Sequence, residues 1–200
     1  MKKLILVLAC VAVISQSFSQ TKQERAKRWA DSVMLTLSKD QKIAQLMIIR
    51  AHSNLGATHV QQVTNLIKQY NVGGLCFFQG GPFRQAKLTN FYQSIAQTPL
   101  MITIDGEWGL GMRLDSVVSL PRQLMLGAVQ DASLAYGYGR ILGEQCKRMG
   151  IQVNFAPVVD VNNNPNNPVI NDRSFGEDRY KVALFGVQVM KGMQDMGIMA

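Results

Sequence analysis

The run Thr103-Ile104-Asp105-Gly106-Glu107-Trp108-Gly109, continuing to Arg113, gathers the residue types best suited to chemistry in this chain. Asp105 follows an apolar stretch and precedes glycines. That places a carboxylate at the carboxyl end of a buried strand, where α/β folds collect functional groups. A carboxylate there can accept hydrogen bonds from two adjacent hydroxyls of a polyol, or it can organise its own loop by capping nearby N–H groups. Arg113 presents five donors in a planar fork, suited to a carboxylate or a polyol and equally to an ion pair with Asp105 or Asp115. Trp108, within the glycine-rich loop, offers a flat ring on which a sugar face can stack or the loop can pack.

A second constellation runs from Asn154 to Val161, with Asp160 at the end of an apolar run, where it reads as a residue that orients a loop. Asn171-Asp172-Arg173-Ser174-Phe175-Gly176-Glu177-Asp178 follows. Arg173 is flanked by Asp172, Glu177 and Asp178, so a ligand-binding arginine and a purely structural ion network both fit the pattern. Met47, Met101, Met125, Met190, Met193 and Met196 read as core fillers.

Other chemistries lack their residues. The sequence has no phosphate-cradling glycine loop with lysine, no G-x-S-x-G elbow and no H-E-x-x-H. His52 and His59 fall in an early βα loop and helix, too isolated for a zinc motif, so neither a metal nor a cofactor is expected. Cys76 and Cys146 each lie in an apolar pattern and read as two separate buried thiols. Carboxylates and arginines without a metal suit carbohydrate handling.

The elements that must position these groups alternate. Apolar runs at Met47–Ala51, Val72–Phe78, Leu100–Ile104 and Val153–Val159 predict strands. Helical patterns cover Lys22–Ser38, Lys39–Leu46 (with Ser38 as its cap), the stretch holding Val60, Val63, Leu66 and Ile67, then Phe83–Ala96, Asp131–Met149 and Arg179–Met196. Ile198-Met199-Ala200 reads as the opening of one more strand. Alternation implies parallel pairing through right-handed crossovers, hence an α/β fold, either an open doubly wound sheet or a closed barrel. Four strand–helix units and the start of a fifth strand fall short of the roughly 250 residues of a (β/α)₈ barrel. The chain is therefore expected to be a fragment, the N-terminal part of such a barrel.

Composition agrees with a folded domain: of 200 residues, 47% are apolar and 17% charged, which excludes a disordered or collagen-like chain. The net charge of +8 suggests nucleic acid at first sight. However, Lys22, Arg25, Lys27 and Arg28 supply much of the excess in one stretch. No later run interleaves basic with aromatic residues, so no nucleic-acid partner is expected. Lys2 and Lys3 followed by apolar Leu4–Ile14 predict a secretory signal over residues 1–19, cleaved near Gln20. That run is too short to span a bilayer as a helix of about 20 residues. The expectation is an exported product, periplasmic or secreted, with no membrane span. It would have a lead-in over residues 20–36 and an incomplete domain over 37–200.

The ordered motifs resemble glycoside hydrolase family 3, and the N-terminal half of its barrel domain in particular. They are Ala44-Gln45-Leu46-Met47, Val72-Gly73-Gly74-Leu75, Ile104-Asp105 through Arg113, Leu120-Pro121, Asn154 to Val161, and Arg173-Ser174-Phe175-Gly176. The Asp–x–Glu–x–Gly–x–x–x–Arg arrangement is more similar to the β-N-acetylhexosaminidase branch than to the β-glucosidase branch. Where the family usually has Glu-Gly-Gly, this chain has Glu107-Trp108-Gly109. The resemblance implies that Asp105 holds hydroxyls of a terminal sugar and that Arg113 and Arg173 complete the same pocket. It also implies a retaining mechanism. The proton-donating histidine of the hexosaminidase branch and the nucleophilic aspartate would both lie beyond Ala200, so no catalytic residue is assigned within this chain. A β-glucosidase-type hydrolase and a non-catalytic exported sugar-binding protein are the alternatives.

Overall fold

A computed structural model describes residues 21–200, in two compact units that divide between Lys42 and Ile43. The signal expected over residues 1–19 lies outside the described residues. In the first unit, α1 (Lys22–Thr36) opens with a capping box, in which Thr21 and Glu24 each take the other's backbone N–H. Ser38 and Gln41 repeat that exchange ahead of α2 (Lys39–Ala44), at 3.1 and 3.2 Å, as expected for a serine cap.

The second unit is built on four parallel strands: β1 (Ile48–Ala51), β2 (Gly74–Phe77), β3 (Met101–Ile104) and β4 (Val153–Asn154). They lie side by side in chain order, with Arg50, Cys76, Thr103 and Val153 in register across the sheet. The crossovers carry α3 (Gly56–Tyr70), α4 (Pro82–Ile95), and the short α5 (Gln123–Gly127) followed by α6 (Ser133–Arg148). Helix α7 (Arg179–Asp195) follows β4. Beyond it Met199 bridges Val153 in parallel, exchanging bonds with Gln152 and Asn154 at 2.9 Å, so a fifth strand begins where the sequence placed one. This is an α/β fold with the sheet of a partial barrel.

Strand alternation decides the core. Ala51, Leu75, Phe77, Ile102 and Ile104, all 0% exposed, form one cluster with residues of the crossover helices such as Ile67, Tyr92, Leu142 and Val189. The opposite face carries Ile48 and Met101, both exposed. Of the methionines read as core fillers, Met193 is buried, whereas Met47, Met101 and Met125 are exposed, Met101 because it opens β3 on that second face. Helices α6 and α7 pack backbone to backbone at Gly139 and Gly192. A Cβ on Gly139 would strike the Val189 carbonyl, and one on Gly192 the Tyr136 carbonyl. Cys76 and Cys146 are free thiols, one half-buried and one buried; burial raises both, Cys146 to about 12.

One strand is shorter than its apolar run. β4 was expected to reach Val159 and ends at Asn154. Pro157 has no N–H to give a ladder, and the backbone of Val158 finds a side chain instead of a strand. Its N–H donates to Gln123 Oε1 at 3.1 Å and its carbonyl accepts from Gln123 Nε2 at 2.7 Å. A buried glutamine amide thus stands where a neighbouring strand would.

Candidate functional site

β3 ends at Ile104 and delivers Asp105 to the carboxyl edge of the sheet. Arg113 reaches back across the loop, with Nη2 2.8 Å from Asp105 Oδ2 and Nε 3.2 Å from the Asp105 carbonyl. Asp115, the other partner considered for Arg113, pairs with Arg84 at 2.6 Å. The Arg113 guanidinium lies 4.5 Å from the ring centre of Phe78, the residue that follows β2. That ring stacks on His52 at 5.6 Å, and the backbone N–H of His52 donates to His59 Nε2 at 3.0 Å. Burial first, and then the nearby Arg50 charge, lower the pKa of both histidines. Phe78 carried no signal in the sequence, because an aromatic at a strand end is ordinarily core.

The loop after Asp105 is held at each step. Asn154, 1% exposed, grips Gly106 with both ends of its amide: Oδ1 accepts the Gly106 N–H at 2.8 Å and Nδ2 donates to its carbonyl at 3.2 Å. Gly109 has φ +86°, a left-handed conformation that L side chains rarely adopt, and a Cβ there would stand 2.6 Å from Gln145 Oε1. That same oxygen accepts the N–H of Leu110 at 2.9 Å, which anchors the 3₁₀ turn Leu110–Met112 to α6. The Tyr138 hydroxyl lies 2.7 Å from the Pro121 carbonyl and 3.1 Å from that of Glu107. Its burial, reinforced by the Glu107 charge, keeps it protonated well above the ordinary range.

Arg173 pairs with none of its acidic sequence neighbours. Its Nε and Nη2 meet both oxygens of Glu107 at 2.7–3.2 Å, and Nη1 donates to the Val169 carbonyl at 3.1 Å. Asp172 goes to Arg122, Asp178 caps α7 by accepting the Tyr180 N–H, and Glu177 is exposed. Asp160 does tie down a loop, through its backbone carbonyl: this accepts the Ser174 hydroxyl at 2.6 Å while the residue stays exposed. Trp108 is neither bare nor simply packed, since the Arg122 guanidinium covers its ring at 4.5 Å. Glu107, 3% exposed, is the residue missed as a site member; its spacing two residues after Asp105 at a strand end was the available signal.

Asp105 and Arg113 therefore pair directly, and Arg173 joins the same short loop through Glu107. Acceptors and planar donors alternate there, an arrangement that can hold the hydroxyl and amide groups of a small polar molecule. A cavity of about 330 Å³ borders Arg113 and Asp115, with Asn54 and Gln79 in its wall. A larger one of about 440 Å³ lies against α7 but is lined by Pro157, Val159, Val182 and Met190, without grouped polar chemistry. Among the described residues no three His, Cys, Asp or Glu side chains converge as a metal site, and no helix is long and apolar enough to cross a membrane.

Residues 38–200 match the family model described as the glycosyl hydrolase family 3 N terminal domain. The chain belongs to glycoside hydrolase family 3. It is 36% identical over 152 residues to beta-hexosaminidase A of Pseudoalteromonas piscicida, covering 70% of this chain and 25% of that protein. It is 31% identical over 172 residues to beta-hexosaminidase LpqI of Mycobacterium tuberculosis, covering 82% and 42%. A solved family 3 beta-N-acetylglucosaminidase from Paenibacillus sp. superposes with a TM-score of 0.70 at 38% identity, covering 82% of this chain and 32% of that one. The chain thus spans between a quarter and about two fifths of the length of these proteins, within a domain whose solved relatives are of the TIM-barrel type.

Proposed function

We propose that the protein carrying this chain is an exported β-N-acetylhexosaminidase that hydrolyses terminal β-linked N-acetylhexosamine, on peptidoglycan or chitin fragments, with retention of configuration. The observation that carries this reading is the pair of ion pairs hung on one strand-end loop, Asp105–Arg113 and Glu107–Arg173. Asp105 accepts hydrogen bonds from hydroxyls of the terminal sugar. Arg113 engages Asp105 through Nε and Nη2, and Arg173 engages Glu107 through the same edge and Val169 through one N–H of Nη1, so the N–H groups left over on each fork serve the sugar. The hexosaminidase names of the relatives support the choice of amino sugar over glucose.

In this reading the chain contributes the binding half of the pocket. The carboxylate nucleophile and the proton donor belong to the part of the protein that follows Ala200. Export rests on Lys2, Lys3 and the apolar run Leu4–Ile14.

The test is kinetic. The full-length protein is expected to hydrolyse 4-nitrophenyl N-acetyl-β-glucosaminide in preference to 4-nitrophenyl β-glucoside, and the 200-residue chain alone to hydrolyse neither. Asp105→Ala in the full-length protein is expected to lower kcat/KM by about a hundredfold or more, through loss of charge-assisted bonds to the sugar. Preference for the glucoside, turnover by the isolated chain, or wild-type kinetics for Asp105→Ala would each overturn the corresponding part of the reading.

A further inference from the structure

We propose that Arg122 and Gln123 are positioning residues, which set where Arg173 stands in the pocket; the inference rests on the reading of Arg173 as a sugar contact. Arg173 sits in the 3₁₀ turn Asn171–Arg173, at the end of an asparagine-rich loop with no strand ladder of its own. Its place must therefore be supplied from elsewhere.

Two consecutive residues at the start of α5 supply it. Gln123, 1% exposed, donates Nε2 to the Arg173 carbonyl at 2.6 Å and to the Val158 carbonyl at 2.7 Å, and accepts the Val158 N–H on Oε1. Arg122 directs Nη1 to both oxygens of Asp172, at 2.7 and 2.9 Å, with its guanidinium over the ring of Trp108. On the facing loop Glu107, the neighbour of Trp108, takes the Arg173 side chain. The contacts close a ring: Glu107 to Arg173, along the chain to Asp172, across to Arg122, over to Trp108 and back to Glu107. Backbone and side chain of Arg173 are each gripped, by different partners, and the pose of its outer N–H groups follows.

Arg122 and Asp172 are half in water, 51% and 43% exposed, so their pairing contributes little to the stability of the fold. Its effect falls on placement, to which a site that binds through a rigid fork is sensitive.

The experiment is a double-mutant cycle in the full-length protein, read on 4-nitrophenyl N-acetyl-β-glucosaminide. Arg122→Ala is expected to lower kcat/KM about tenfold with a nearly unchanged Tm, and Arg122→Lys to recover part of the loss. The Arg122→Ala, Arg173→Ala double variant is expected to be no worse than Arg173→Ala alone. Gln123→Glu, which keeps the volume and removes both Nε2 donors, is expected to act in the same direction; Arg122→Ala keeps the test open if that variant fails to fold. A loss with Arg173→Ala but none with Arg122→Ala overturns the proposal alone, and so does full additivity of the two. Wild-type kinetics for Arg173→Ala overturn it together with the pocket reading on which it rests.

Discussion

Glu107 and Arg173 stand 66 positions apart in the chain, yet the Nε–Nη2 edge of the arginine meets both oxygens of the carboxylate. The glutamate is 4% exposed at its side chain and the arginine 30%. Removing the charge from a buried partner leaves the other uncompensated, which costs ~3–5 kcal/mol when both are fully enclosed. Because Arg173 retains access to water, Glu107→Gln is expected to destabilise the chain by about 2 kcal/mol. Denaturant unfolding of the two proteins measures this, and a change below about 0.5 kcal/mol would mean the pair adds nothing net to the fold.

Much of the sheet was legible in the sequence, for a physical reason. β1, β2 and β3 coincide with short apolar runs bounded by glycine, proline or polar turns, and each buries alternate residues against helices. β4 was overread because the apolar run through Val159 looks like a strand until one knows that Gln123, far back in the chain, occupies the backbone of Val158. The Asp105–Arg113 contact was readable because the two stand only eight positions apart in one loop. Glu107–Arg173 was not, since the acids beside Arg173 offered a simpler partner and the nearest of them, Asp172, is claimed by Arg122 from 50 positions away. Side-chain pairs between separate strand-end loops depend on how the strands are set side by side, and periodicity carries no record of that.

Asn154 is the residue through which β4 fixes the loop of β3. Replacing it with alanine leaves the Gly106 N–H without its buried partner and its carbonyl with the Gly109 N–H alone, at 3.1 Å. Asn154→Ala is expected to cost about 2–3 kcal/mol in thermal or denaturant unfolding. Asn154→Asp, which keeps an acceptor for the N–H but turns a carboxylate oxygen on the Gly106 carbonyl in a 1%-exposed site, is expected to recover none of that loss.

Gly109 tests the geometry of the same loop from its other end. With φ at +86°, alanine there is strained by about 1–3 kcal/mol, and its Cβ also displaces the Gln145 side chain. A Gln145→Ala background is expected to remove the steric part and leave the conformational part. Equal losses in both backgrounds, measured by denaturant unfolding, would show that the glutamine yields without cost.

Acidity should weaken the fold through the histidines. His52 and His59 have pKa values held below the ordinary 6.5, by burial first and then by Arg50, and Arg113 adds to the effect on His52. The unfolded chain therefore binds protons more readily than the folded one below about pH 6.5, and stability falls as pH falls through that range toward the folded pKa values. Thermal unfolding between pH 7.5 and about pH 5.5 is expected to show a declining Tm that flattens in the His52→Gln, His59→Gln double variant. The same slope in both proteins would assign the decline to carboxylates instead.

The order of the sheet repeats the order of the chain: β1 beside β2, β2 beside β3, β3 beside β4, and Met199 beside Val153. Each strand after β1 thus finds a partner already synthesised when it leaves the ribosome, one crossover behind it, and no two of these neighbours have to part for a later strand to be inserted between them. The arrangement allows each new strand to add to one edge of the sheet as the chain is made.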